Sequence, residues 1–144
     1  MMIEKDKLLL AQYLSEIKFK KYSLGEFDCV LFVADWINKL SGVNWSKDIR
    51  GKYSNKRDML RFAKHYSLGE FQVNNPEYKE IGRDVLPLAG DIWWSYNGTN
   101  YVGFIMFQGF AWTVTAENDL FKYLPDHADL DYSPMGYAKR FRRI

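Results

Sequence analysis

The chain has few of the residues that most often carry out chemistry in proteins. Its 144 residues include one cysteine and two histidines. A single cysteine cannot form an internal disulfide, which is typical of a reducing compartment. One thiol and two isolated imidazoles give no metal-ligand spacing, and phosphate-loop and dinucleotide-binding patterns are absent from the sequence. We therefore expect neither a metal nor an organic cofactor.

The sequence also lacks a large excess of charge and any long apolar run. Its net charge of +2 implies no obligatory polyanionic partner, so nucleic acid is not expected. No apolar run approaches the ~20 residues needed to span a bilayer, and residues 1–6 are too charged for a signal peptide. With 47% hydrophobic residues, the chain is expected to form one soluble domain over residues 1–144, made in the cytoplasm.

The first half of the chain predicts helices. Apolar residues at helical spacing predict a first helix over residues 5–17 and a third over residues 56–66. The strongest signal lies between them, because Asp28 is a favourable N-cap and Ser41-Gly42 is a stop. Cys29 is then the first residue of the second helix and lies on its buried face.

The second half predicts strands joined by tight turns, and Asn97-Gly98 is a strong hairpin signal. Residues 69–86 are expected to form a short helix or irregular structure. Helices followed by an antiparallel meander indicate an α+β fold. The predicted strands cover residues 92–96, 101–107, 110–116, 120–124 and 136–144.

Four short phrases follow one another along the chain: Phe27-Asp28-Cys29, Gly90-Asp91, Tyr101-Val102-Gly103 and Phe141-Arg142-Arg143-Ile144. Their order and spacing resemble the NlpC-type cell-wall peptidases, a compact branch of the papain-like cysteine hydrolases. The pattern looks closest to a divergent branch encoded among phage and prophage tail genes. The resemblance implies a papain-like fold, with N-terminal helices packed on a small antiparallel sheet.

The resemblance also implies catalytic positions. Cys29 matches the nucleophile, and a helix N-terminus favours its thiolate. Tyr101 stands where the family keeps its catalytic histidine, although a phenol with a pKa near ~10 is a poor base at neutral pH. The third polar position falls at Thr113 or Thr115. His127, in an acidic loop, is the better candidate for a replacement base, because the other histidine lies on a predicted surface helix.

Five further residues are candidates for a groove or binding role. Asp28 is first an N-cap, and Asp91 is expected to fix the turn into its strand. Trp93 and Trp94 are adjacent, so they face opposite sides of a strand and at least one must cover a second surface. That surface could be a helix, a groove or a partner. Trp112 could belong to the core or to a platform that stacks on a sugar or peptide.

Two hypotheses of function stay open at this point. One is an active cysteine hydrolase that cleaves peptide or amide bonds of peptidoglycan during phage entry. The other is a pseudoenzyme, a tail-tip or hub component that keeps the fold as a binding module. The absence of histidine at position 101 favours the second. It implies other phage tail proteins as partners, peptidoglycan peptide as a further candidate ligand, and assembly into the virion tail.

Overall fold

The computed structural model describes residues 2–65, 71–82, 84–96, 101–125 and 137–144. It has a mixed α+β architecture, which confirms the fold class expected from the order of helical and strand patterns. The helices are α1 (Glu4–Ile17), α2 (Cys29–Ser41), α3 (Trp45–Ile49), α4 (Lys56–His65) and α5 (Phe71–Asn74). The strands are β1 (Tyr78–Ile81), β2 (Ile92–Tyr96), β3 (Tyr101–Phe107), β4 (Phe110–Thr115), β5 (Asp119–Tyr123) and β6 (Tyr137–Arg143).

The six strands form one antiparallel sheet in the order β1-β6-β2-β3-β4-β5. The meander expected from the sequence is present only from β2 to β5. β6 returns to the other side of β2 and pairs there with β1, so that Phe141 lies opposite both Ile92 and Glu80. The basic residues near the end of the sequence therefore belong to an internal strand.

Helix α2 is the central helix and packs on β3 and β4. It begins at Cys29 as predicted, and it ends where Gly42 adopts a left-handed conformation with a φ of 78°. Helix α1 packs on it through Tyr13, whose ring stacks on Phe32 and Trp36. The Tyr13 hydroxyl also donates to the backbone carbonyl of Phe32 at 2.7 Å, which satisfies a polar group inside this aromatic contact.

Two elements were not predicted from the sequence. Helix α3 has only five residues, and β1 lies in the segment 69–86, for which we expected a short helix or irregular structure. The short helix of that segment is α5. The Asn97-Gly98 turn lies outside the described residues. Within the described part of the chain, no helix has both the length and the apolar character needed to cross a bilayer.

Candidate functional site

Cys29 lies at the first turn of α2, where that helix meets the sheet at β3. The position matches the sequence prediction, but the thiol is buried, with only 4% of the residue exposed. The close approach of α2 to the sheet depends on Gly103 of β3. A Cβ atom on Gly103 would lie 3.0 Å from the carbonyl oxygen of Cys29 and 2.7 Å from the ring of Trp94.

The carboxylate of Asp28 organises the start of α2 from a fully buried position. Its Oδ1 accepts from the backbone N–H groups of Val30 at 3.1 Å and Leu31 at 3.0 Å, as expected of an N-cap. Its Oδ2 accepts from the backbone N–H of Gly25 at 2.9 Å and from the hydroxyl of Tyr53 at 2.6 Å. The carboxylate is thus held by four donors next to the thiol.

This environment opposes ionisation of the thiol. Burial raises the pKa of Cys29 to about 12, and the neighbouring carboxylate of Asp28 acts in the same direction. Hydrogen bonds from the backbone of Gly103, Cys29 and Val30 lower the pKa without reversing the shift. The thiol is therefore neutral at physiological pH, in contrast to the thiolate expected from its place at a helix N-terminus.

Two tyrosines that the sequence reasoning missed complete the surroundings of the thiol. Burial raises the pKa of Tyr22 to about 12, with further contributions from Cys29 and Asp28. Burial, followed by Asp28, also raises the pKa of Tyr53 above its usual range. Both phenols stay protonated, and that of Tyr53 donates to Asp28, so neither can accept a proton from the thiol. No motif marks either tyrosine, because each reaches the site through a loop.

Thr115, the candidate third polar residue, has a structural role at the turn between β4 and β5. Its hydroxyl oxygen accepts from the backbone N–H of Asn118 at 3.1 Å. Asp119, the first residue of β5, follows this turn, and its carboxylate accepts from the backbone N–H of Tyr22 at 2.8 Å. The turn thereby fixes the segment that holds Tyr22. Thr113, the alternative, donates its hydroxyl to the carbonyl of Gly103 at 2.7 Å.

Trp93 and Trp94 are buried and face opposite sides of β2, as their adjacency requires. Trp94 packs edge-on against Trp45 of α3 and Phe71 of α5, with ring centroids 6.4 and 5.8 Å away. The guanidinium of Arg140 lies 3.9 Å from the ring centroid of Trp93 on the other side. Both rings are thus covered by the chain itself, and neither is open to a ligand in this conformation.

Trp112 lies in β4, and Asp91 lies directly before β2. Trp112 is partly buried, and its indole N–H donates to the carbonyl of Phe107 at 3.1 Å. Asp91 is 1% exposed and accepts from the backbone N–H of Leu88 at 2.9 Å, which holds the turn before β2. Its two oxygens also accept from Arg142, from Nε at 2.9 Å and from Nη2 at 2.8 Å. Neither residue is brought to the thiol by the contacts seen here.

The remaining candidates cannot be placed at the site. His127 lies outside the described residues, as do the side chains of Tyr101 and His65, whose backbones belong to β3 and α4. Among the residues with described positions, no three His, Cys, Asp or Glu side chains come together as metal ligands would. The described part of the site thus combines one neutral thiol, one buried carboxylate and two neutral phenols.

A family model described as a domain of unknown function (DUF6950) matches residues 3–124. Because the match covers more than half of the chain, the chain belongs to this family. The comparison with curated proteins found no match.

Proposed function

We propose that this protein is a non-catalytic component of a phage tail, built on the layout of a cysteine hydrolase and used as a binding module. The observation that carries the proposal is the state of Cys29. In the sequence resemblance Cys29 matches the nucleophile of the hydrolases, yet its thiol is buried beside a buried carboxylate. A cysteine attacks carbonyl groups as the thiolate, so a neutral, enclosed thiol is unsuited to nucleophilic catalysis.

The donors around the thiol support the same interpretation. An activated nucleophile needs an adjacent base, which a third group orients. Among the described residues, the ionisable groups next to the thiol are Asp28, which is already engaged by four donors, and the protonated phenols of Tyr22 and Tyr53. The four hydrogen bonds to Asp28 stabilise the start of α2, and the thiol is left as a packing group.

An active hydrolase is the second candidate, and one observation favours it. Backbone hydrogen bonds from Gly103, Cys29 and Val30 reach the sulfur and lower its pKa. Donors at a helix start could also stabilise the oxyanion of an acyl-transfer reaction. In this alternative, Cys29 attacks a peptide or amide carbonyl of peptidoglycan, and a base outside the described residues activates it.

Alkylation of the single thiol separates the two candidates. We expect native protein to react with iodoacetamide at pH 8 at least about 100-fold more slowly than protein unfolded in urea, because the thiol is enclosed and neutral. Cys29→Ser, which removes the thiol, is the control for labelling at other groups. Rapid labelling of native protein, with an apparent pKa below the ~8.5 of a free cysteine, would favour the hydrolase instead.

The proposed binding role gives a separate prediction. The purified chain should form a stable complex with at least one product of the neighbouring tail genes, and Cys29→Ser should form it equally well. A chain that binds none of these products, and that releases peptides from purified peptidoglycan, would refute the proposal.

A further inference from the structure

The two outer strands of the sheet, β1 and β5, differ in how their free edges are protected. Natural sheets place charged side chains on such edges, because an unprotected edge pairs with other chains. The middle of β1 carries Lys79 and Glu80, and both are exposed. The middle residue of β5 is instead Phe121, and 43% of it is exposed. The edge of β5 is therefore the less protected of the two.

The two charged side chains of β5 are both engaged elsewhere. The ammonium of Lys122 lies 4.4 Å from the ring centroid of Phe110 and 5.6 Å from that of Trp112. Both rings belong to β4, so this charge is directed over the neighbouring strand and away from the free edge. The carboxylate of Asp119 accepts from the backbone N–H of Tyr22 at 2.8 Å, as described above. Neither charge protects the edge.

The backbone in the middle of β5 is also available for pairing. Residues 120–122 pair with β4, and no other backbone hydrogen bond reaches them from the described part of the chain. In an antiparallel pair, every second residue directs its N–H and C=O groups away from the partner strand. At least one of these three residues therefore presents an unpaired donor and acceptor at the edge.

The ring of Phe121 is the outer end of a row of aromatic side chains. It contacts the ring of Tyr123 at a centroid distance of 5.0 Å, and Tyr123 contacts Phe104 at 6.2 Å. Phe104 is fully buried in the middle of the sheet. The row thus extends the apolar core to the free edge of β5, where its last ring is exposed.

We propose that the free edge of β5 pairs with the same edge of a second copy of this chain, so that the two sheets join across a twofold axis. With Phe121 at the axis, the whole of β5 is paired. Phe121 then lies opposite its own copy, Leu120 opposite the partner's Lys122, and Asp119 opposite the partner's Tyr123.

This arrangement makes the edge complementary to itself, as a twofold interface requires. It covers the exposed ring of Phe121 with another aromatic ring, and it places no like charges directly opposite each other. A second copy therefore satisfies both the open backbone groups and the apolar side chain. The inference does not depend on the function proposed for Cys29.

Sedimentation velocity of the full chain tests the association. A single pair of short strands is smaller than a standard interface, so we expect a weak dimer with a dissociation constant of about 100 µM. The protein should be mostly monomeric at about 10 µM and mostly dimeric at about 1 mM. Hydrogen exchange at residues 120–122 should be slower at the higher concentration, because the pairing protects their amides.

Charged variants of Phe121 test the register, because this position lies opposite itself. Phe121→Lys and Phe121→Glu should each weaken the dimer at least about tenfold, since like charges directly opposite each other destabilise a strand pair. An equimolar mixture of the two variants should form the dimer again, because lysine then faces glutamate. Val73→Lys adds a charge at another exposed apolar residue, on α5 beside β1, and should dimerise like the unmodified protein.

Three results would overturn the proposal. The first is an unmodified protein that stays monomeric at about 1 mM, well above the expected dissociation constant. The second is a dimer whose affinity is unchanged in both Phe121→Lys and Phe121→Glu. The third is a mixture of these two variants that stays monomeric while circular dichroism shows both to be folded.

Discussion

Replacement of Asp28 by alanine is expected to lower the free energy of unfolding by about 4 kcal/mol. The carboxylate is fully buried and is the acceptor for four donors: the backbone N–H groups of Gly25, Val30 and Leu31 and the hydroxyl of Tyr53. The alanine variant loses the N-cap of α2 and leaves these donors enclosed without an acceptor. Urea denaturation followed by circular dichroism measures the change.

Three further variants serve as comparisons for the loss of stability in Asp28→Ala. Asp48→Ala, at an exposed position of α3, changes the same residue type and should cost less than about 0.5 kcal/mol. Tyr53→Phe removes one donor and its hydrogen bond, so it should cost about 1 kcal/mol. Asp28→Asn keeps one acceptor oxygen, so its free energy of unfolding should lie between those of the alanine variant and the unmodified protein. An alanine variant as stable as Asp48→Ala would show that Asp28 does not organise the start of α2.

Replacement of Gly103 by alanine is expected to cost about 3 kcal/mol, at the upper end of what overpacking of a core usually costs. The new methyl group would lie 2.7 Å from the Trp94 ring and 3.0 Å from both the Cys29 carbonyl and the Val33 side chain. These neighbours belong to the buried core, so they cannot move without opening the contact between α2 and the sheet. Thermal and urea unfolding should both report the loss.

The matched control is Gly82→Ala. Gly82 is exposed, and an added Cβ would meet chiefly the flexible side chain of Asp84, which can move away. We expect a change of less than about 0.5 kcal/mol there. Gly103→Ala should also make Cys29 react faster with iodoacetamide, because the methyl group separates the strand from the helix start. Unchanged stability together with unchanged labelling would contradict the packing described at Gly103.

Much of the fold could be predicted from the sequence because its signals are local. The N-cap at Asp28 and the stop at Gly42 define α2 within a few residues, and the structure confirms both ends. Alternating and continuous apolar runs likewise mark β2 to β4, which differ from the predicted bounds by at most one residue. In each case the residues that determine the element lie inside it or next to it.

The features that were not predicted are not local, because they depend on contacts between distant parts of the chain. β1 is a strand because it pairs with β6, more than fifty residues later. No sequence pattern within Tyr78–Ile81 predicts that pairing. Tyr53 reaches Asp28 across 25 positions, and Tyr22 is fixed by Asp119 across 97. From the sequence, the start of α2 could be predicted to favour the thiolate. The burial of the Cys29 thiol beside the Asp28 carboxylate could not be predicted.

The position of β6 has a consequence for how the protein is made. β1 and β2 have no direct pairing with each other, because β6 fills the place between them. During synthesis, a nascent chain that has produced the first five strands therefore exposes two unpaired strand edges where β6 will later insert. Such edges invite pairing with other chains, and long-range strand pairing is slow. Translation must pass residue 143 before the sheet can close, so a truncation that removes β6 should yield chains that aggregate as they leave the ribosome.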